Sequence, residues 1–134
     1  MDEKELMAEI EKVEASLPHT YNDLIQQIDR FIFGAQKGFD LCTELLCLCF
    51  ENRAAHLILH KKAFKLAYNT AEQNNLAATS RKEYANANSI DEECNLILAD
   101  TKVDVARFKR DRFIERLNSF KKIKGENINA RGAG

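Results

Sequence analysis

The spacing of apolar residues predicts that the chain begins with an amphipathic helix. In "ELMAEIEKVEASL" apolar side chains recur at intervals of four, three and four among glutamates, which is the pattern of a coiled-coil seam. This first-helix seam consists of Leu6, Ile10, Val13 and Leu17. We expect the helix to end at Pro18, and Thr20 to cap a second helix that also carries an apolar face.

The next apolar segment, Asp40 to Lys62, predicts a helix in the middle of a bundle. On a helical wheel of about 100° per residue its apolar arc covers more than half of the circumference. One neighbouring helix cannot cover so wide an arc, so we expect two or more helices to pack around this segment. The glycines Gly34 and Gly38 precede it, and the pattern there allows a break, a kink or a continuous helix.

Two capping boxes predict where the later helices begin. "SIDE", from Ser89 to Glu92, marks the start of a long last helix, and "SRKE", from Ser80 to Glu83, marks a short helical piece before it. Between 70 and 89 several asparagines disfavour a helix interior, so this range is expected to be a connection.

The apolar stripe of the last helix changes direction along its length. It first runs straight through Cys94, Leu98, Thr101 and Val105, which predicts that these residues face the core. After Phe108 the apolar positions shift by roughly 90° to Phe113, Leu117 and Phe120. We therefore expect either a kink near 109–112 or a second half that leaves the bundle and packs elsewhere.

Scarce helix breakers decide the fold class. Up to Lys124 the only glycines and prolines are Pro18, Gly34 and Gly38, and three further glycines lie in the last ten residues. The sequence therefore predicts an all-α fold, a small bundle of four or five helices with a central apolar helix, which self-associates. We expect residues 1–124 to form a single domain and 125–134 to form a disordered tail.

Composition excludes several classes of protein. The apolar runs are interrupted by charges long before they reach bilayer length, so no membrane span is predicted. The acidic, amphipathic start is unlike an export signal, and the four cysteines are expected to be reduced thiols in the cytoplasm. No nucleophile and base pair, glycine-rich phosphate loop or dinucleotide motif is present, so we expect a protein that is not an enzyme and needs no cofactor.

A metal site is the sharpest chemical alternative, and the spacing argues against it. His56 and His60 are one helical turn apart and could share an ion, with Cys49 two turns earlier. Arg53 falls on the same stripe, however, and a fixed cation there disfavours a divalent ion. We expect no metal, with Cys42, Cys49 and Cys94 as small core residues and Cys47 as the accessible thiol.

Charge separates the two ends of the chain. Residues 1–52 carry a net charge of −7, whereas 101–124 carry nine basic and three acidic side chains, a net charge of +6. The basic surface of the last helix, called here the basic row, consists of Lys102, Lys109, Arg110, Arg112, Arg116, Lys121 and Lys122.

Three interpretations of the basic row remain open. It could meet the acidic first helix of the same or another copy, in a protein-protein interaction module or adaptor that acts as a homo-oligomer, most simply a dimer. It could bind nucleic-acid phosphates, with Phe113 or Phe120 stacking on bases. It could also be an ordinary solvated face. A pI near 6.3 favours the first interpretation, with the first-helix seam holding the copies together or contacting another protein, over nucleic-acid binding.

Overall fold

The fold is all-helical, as the sequence predicts. The structure is a computed structural model that describes residues 1–18 and 20–133, with the side chains of 21–23 and 129–133 outside the description. It contains no strand in these ranges. In chain order the helices are α1 (Glu3–Ser16), α2 (Tyr21–Gln26), α3 (Ile28–Gln73), α4 (Ala78–Ala87) and α5 (Ile90–Ala133).

Capping explains the ends of the first helix. The Asp2 carboxylate accepts a hydrogen bond from the backbone N–H of Glu5 at 2.8 Å, which satisfies one of the free donors of the first turn. The helix ends at Ser16, two residues before Pro18, as expected. The second helix begins directly after Thr20, which confirms the predicted position of its start.

Helix α3 runs without a break through both of its glycines. Gly38 lies where α3 approaches α5 most closely: a Cβ placed on it would lie 2.6 Å from Cζ of Phe113 and nearer still to two other ring carbons. A Cβ on Gly34 would meet only Leu17, at an ordinary 3.5 Å. The glycines therefore serve packing and do not end the helix.

The two predicted capping boxes have different outcomes. Helix α5 begins at Ile90, directly after Ser89, whose buried hydroxyl donates to the Ala85 carbonyl at 2.7 Å and so ties α5 to the end of α4. The prediction for Ser80 is wrong, because α4 begins two residues earlier with Ala77 as its cap and no side-chain capping bond.

The chain forms two compact units. The terminal unit consists of Met1–Cys47 and Val105–Gly134, and the central unit consists of Leu48–Asp104. Each unit contains part of α3 and part of α5, because both helices are long enough to continue from one unit into the other.

Large apolar side chains fill the core of the terminal unit. Its buried residues include Leu6, Ile10, Val13, Leu17, Leu24, Phe31, Leu41, Cys42, Leu45, Leu46, Phe113, Leu117 and Phe120. The rings of Phe31 and Phe120 pack with centroids 6.4 Å apart, and Lys109 bonds Glu14 at 3.1 Å. These contacts hold α1, the start of α3 and the second half of α5 together as a three-helix core.

The predicted core stripe of α5 is wrong. Cys94, Leu98, Val105 and Phe108 are exposed, and so is Thr101. The buried stripe consists of Ala99, Val103, Ala106, Phe113, Leu117 and Phe120, and its intervals are all three, four or seven residues. It runs straight, so α5 needs no break at 109–112, and the wheel had followed the more hydrophobic stripe instead of the one that packs.

The C-terminal residues and the membrane question complete the fold. Helix α5 continues through Ala133, across most of the range 125–134 that the sequence assigns to a disordered tail. Among the residues that the structure describes, no helix combines the length and the hydrophobicity that crossing a bilayer requires.

Candidate association surface

Small residues form the core of the central unit, while its large apolar residues face outward. The buried side chains are Cys49, Ala67, Ala71, Ala85, Ser89, Ala99 and Val103. The exposed ones include Phe50, Leu57, Ile58, Leu59, Leu66, Ile90, Ile97 and Leu98. This distribution is the reverse of the terminal unit's, and it leaves apolar area without cover.

One line of these residues forms a regular second seam on α3. Phe50, Ala54, Leu57, Lys61, Phe64 and Tyr68 recur at intervals of four, three, four, three and four, and we call this line the outer seam. On a helical wheel it lies about 100° from the line through Cys49 and Ala67 that packs inside the unit. Helix α3 therefore carries two apolar seams, of which the structure covers one fully.

The outer seam has the relief of a packing surface. At one end Phe50, Arg53, Ala54 and Leu57 line a shallow groove of about 310 Å³. Towards the other end the rings of Phe64 and Tyr68 stack with centroids 6.4 Å apart, and both side chains are half-buried. Ridges and a groove of this kind are what a neighbouring helix interlocks with.

An ion pair shows which side of α5 belongs to the same face. Arg53 on α3 bonds Asp100 on α5, and both side chains are about half exposed. Leu57 follows Arg53 by one helical turn, and Ile97, which is 57% exposed, precedes Asp100 by one turn. The outer seam and Ile97 therefore lie on one face of the α3 and α5 pair.

Charges of opposite sign border this face on its two helices. Lys61 and Lys65 lie along α3, whereas Glu93 and Asp104 lie two turns before and one turn after Asp100 on α5. All four are exposed, and none forms a salt bridge within the described part of the chain. The α3 side of the face is basic and the α5 side is acidic.

The first-helix seam lies inside the chain. Leu6 and Ile10 are fully buried, and Val13 and Leu17 are 7% and 2% exposed. Leu17 reaches Gly34 of α3, and Glu14 on the same helix bonds Lys109 of α5. In this conformation the seam has no free surface to offer a second copy, so an interface between copies has to use other residues.

The basic row is divided among several local partners. Lys109 bonds Glu14, and Arg110 lies 3.6 Å from Asp111. The Arg112 guanidinium lies 5.8 Å from the centroid of the Phe108 ring, and Phe108 is 63% exposed. Arg116 lines a small cleft, and Lys102, Lys121 and Lys122 are exposed.

The aromatic residues proposed for base stacking are not accessible. Phe113 and Phe120 are only 2% and 6% exposed, because they form the core of the terminal unit. Phe108, which sequence analysis had placed at the end of the core stripe, is the exposed ring of this helix. An aromatic side chain beside the basic row is therefore present, but it is a different one.

Cysteine and histidine positions bear on the metal and thiol predictions. Cys42 and Cys49 are buried and Cys47 is exposed, as predicted, whereas the prediction for Cys94 is wrong because this thiol is exposed. Burial, with a smaller contribution from the Glu14 carboxylate, raises the pKa of Cys42 from 9.0 to about 11. No group of three or more potential metal ligands occurs among the described residues, and the absence of a metal stays a prediction.

Sequence reasoning missed the outer seam, although its signal is present. The intervals of four and three from Phe50 to Tyr68 are as regular as those of the first-helix seam. On a single wide apolar arc this line merges with the core line, so a wheel alone does not separate them. A search for two heptad lines on one helix would have found it. Comparison with known proteins adds no further guide, because the chain matches no protein-family model, no curated protein and no solved structure.

Proposed function

We propose that the protein is a non-enzymatic helical interaction module, or adaptor, of the cytoplasm that forms homo-oligomers through the outer seam of the central unit. One observation carries the proposal: the central unit buries alanines and leaves phenylalanine, leucine and isoleucine side chains exposed. A two-fold dimer, the commonest closed assembly, would cover this surface.

The inversion of large and small residues supports association because of its energetic direction. Burial of apolar area contributes about 25 cal/mol per Å², so a second layer of helices on the outer seam would gain stability that the isolated unit lacks. Alanines between α3 and α5 let these two helices lie close together, which brings the large side chains to the outside of the pair. Four helices around a shared core are a common solution to this arrangement.

Leu57→Asp tests the proposal, with Ile58→Asp as the matched control. Leu57 lies at the middle of the outer seam and is 38% exposed, whereas its neighbour Ile58 is 53% exposed and points away from the face on the wheel. A carboxylate in a covered seam costs about 3 kcal/mol or more, so Leu57→Asp should weaken association about a hundredfold or more. Ile58→Asp should leave it unchanged.

Sedimentation equilibrium or light scattering across a micromolar concentration series measures this difference. The wild-type chain should be oligomeric, Leu57→Asp monomeric and Ile58→Asp like the wild type, with circular dichroism confirming that all three keep their helices. A wild-type chain that stays monomeric at high micromolar concentration would refute the proposal. So would equal effects of the two aspartates.

Nucleic-acid binding by the basic row is the second candidate function, and one observation favours it. Arg112 and the exposed ring of Phe108 lie together on a helix segment of net charge +6, and an exposed aromatic ring beside cations suits single-stranded bases. Phe108→Ala and Arg112→Ala should each weaken binding of a fluorescent oligonucleotide if this function is present, and binding should fall with added salt. Absence of binding at low salt would eliminate it.

A further inference from the structure

The charges along the outer seam specify how two copies would pair. Within one central unit α3 and α5 run antiparallel, and the Arg53 and Asp100 ion pair fixes their register. Four residues forward on α3 and four back on α5 make Leu57 about level with residue 96, beside Ile97. Eight residues from the ion pair, Lys61 is about level with residue 92, beside Glu93.

Two copies can stack face to face about a two-fold axis in two ways. If the axis runs parallel to the helices, α3 of each copy lies on α5 of the other at the same level. If the axis lies in the plane of the face and crosses the helices, α3 lies on α3 and α5 lies on α5. Both arrangements cover the outer seam, so apolar burial alone does not choose between them.

Charge does choose between them. On α3 the face is bordered by Lys61 and Lys65, and on α5 by Glu93 and Asp104. Stacking α3 on α3 brings like charges together, which is unfavourable, whereas stacking α3 on α5 brings opposite charges together. These side chains have no salt-bridge partner within the described part of their own chain.

We propose that the partner of the outer seam is a second copy of this chain, with α3 of each copy on α5 of the other about a two-fold axis parallel to the helices. Leu57 then faces Ile97 of the second copy, and Lys61 faces Glu93 of the second copy. The two pairs of helices form a four-helix bundle in which every neighbouring pair is antiparallel. This inference rests on the proposed function, because it specifies the geometry of the same association.

Charge reversal at one pair of positions tests the inference. Lys61→Glu places a carboxylate opposite Glu93 of the second copy, and Glu93→Lys places an ammonium group opposite Lys61. Each change affects two equivalent contacts in the dimer, so each should weaken association about three- to thirtyfold at low ionic strength. The chain that carries both changes restores both contacts and should associate within about twofold of the wild type.

A control and a mixing experiment sharpen the test. Lys62 is as exposed as its neighbour Lys61 but lies on the opposite flank of α3, so Lys62→Glu should leave the dissociation constant unchanged. The two singly reversed chains should associate with each other when mixed, because each contact of the mixed dimer again joins opposite charges. Analytical ultracentrifugation at low and high salt gives the constants, and circular dichroism checks that the helices persist.

The outcomes separate this inference from the proposed function. Weakening by each single reversal, recovery in the double variant and no effect of Lys62→Glu would support the pairing of α3 with α5. If Leu57→Asp dissociates the oligomer but neither single reversal weakens it, the pairing geometry is refuted and the association surface remains. A loss in the double variant equal to or greater than the sum of the single losses would also refute the geometry. A monomeric wild type would refute both.

Discussion

Replacing Gly38 with alanine should destabilise the terminal unit, although alanine is the better helix former. An alanine Cβ would lie 2.6 Å from Cζ of Phe113 and closer to two other ring carbons. Phe113 is 2% exposed and belongs to the core, so its ring has little space into which to move. Forcing an extra methyl group into a packed core typically costs about 1–3 kcal/mol.

Gly34→Ala isolates this cost, because the two positions share a helix and a residue type. Both substitutions gain about 1 kcal/mol from the higher helix propensity of alanine. At Gly34 the nearest atom is Cδ2 of Leu17 at 3.5 Å, an ordinary contact, so this variant should be stabilised. The free energy of unfolding should therefore be lower in Gly38→Ala than in Gly34→Ala by about 1–3 kcal/mol, the overpacking cost alone.

Urea unfolding followed by circular dichroism measures this difference, at one protein concentration because any association contributes to stability. A second measurement repeats Gly38→Ala in a Phe113→Leu background, where the smaller side chain leaves room for the methyl group. There the alanine should cost less, giving a coupling energy of about 1 kcal/mol between the two positions. Equal stabilities of the two alanine variants, or no coupling to Phe113, would refute the close packing of α3 on α5.

Two further predictions concern the core of the terminal unit. Ile10→Asp should lower the stability of the monomer by about 4 kcal/mol or more, because the side chain is fully buried, and thermal unfolding of the Leu57→Asp chain with and without it measures this loss. An unchanged midpoint would show that α1 does not pack there. The raised pKa of Cys42 predicts that stability falls above pH 9, where the unfolded thiol ionises and the buried one does not, by about 2–3 kcal/mol in total by pH 11. Cys42→Ala should lack this component, so a stability difference between the two chains that does not change with pH would contradict it.

Local sequence signals located most helix ends. Pro18 stops a helix because it lacks an amide hydrogen and restricts the residue before it, so the end of α1 is readable without any tertiary contact. The start of α5 after Ser89 is also readable, since the serine and the acidic first turn favour that position. The spacing of Leu6, Ile10 and Val13 identified a seam that is buried, because intervals of three and four place side chains on one face of any helix.

The sequence could not identify what each face packs against. The stripe through Leu98 and Val105 is more hydrophobic than the one through Ala99 and Val103, yet the second is buried. Alanines win because two helices approach closely where side chains are small, and this gain exists only when both helices are present. A helical wheel ranks faces by hydrophobicity alone, so it favours the stripe that the α3 and α5 pair leaves outside.

Tertiary structure also decided the roles of the glycines and of the seams. Gly34 and Gly38 look alike in the sequence, and only the position of the Phe113 ring makes one of them a close-packing site. The first-helix seam fits an interface within the chain as well as one between copies, because apolar burial is non-directional and carries no information about which chain supplies the partner. The three-helix core covers that seam and leaves the outer seam of α3 exposed, since no third long helix lies beside α3 and α5 in the central unit.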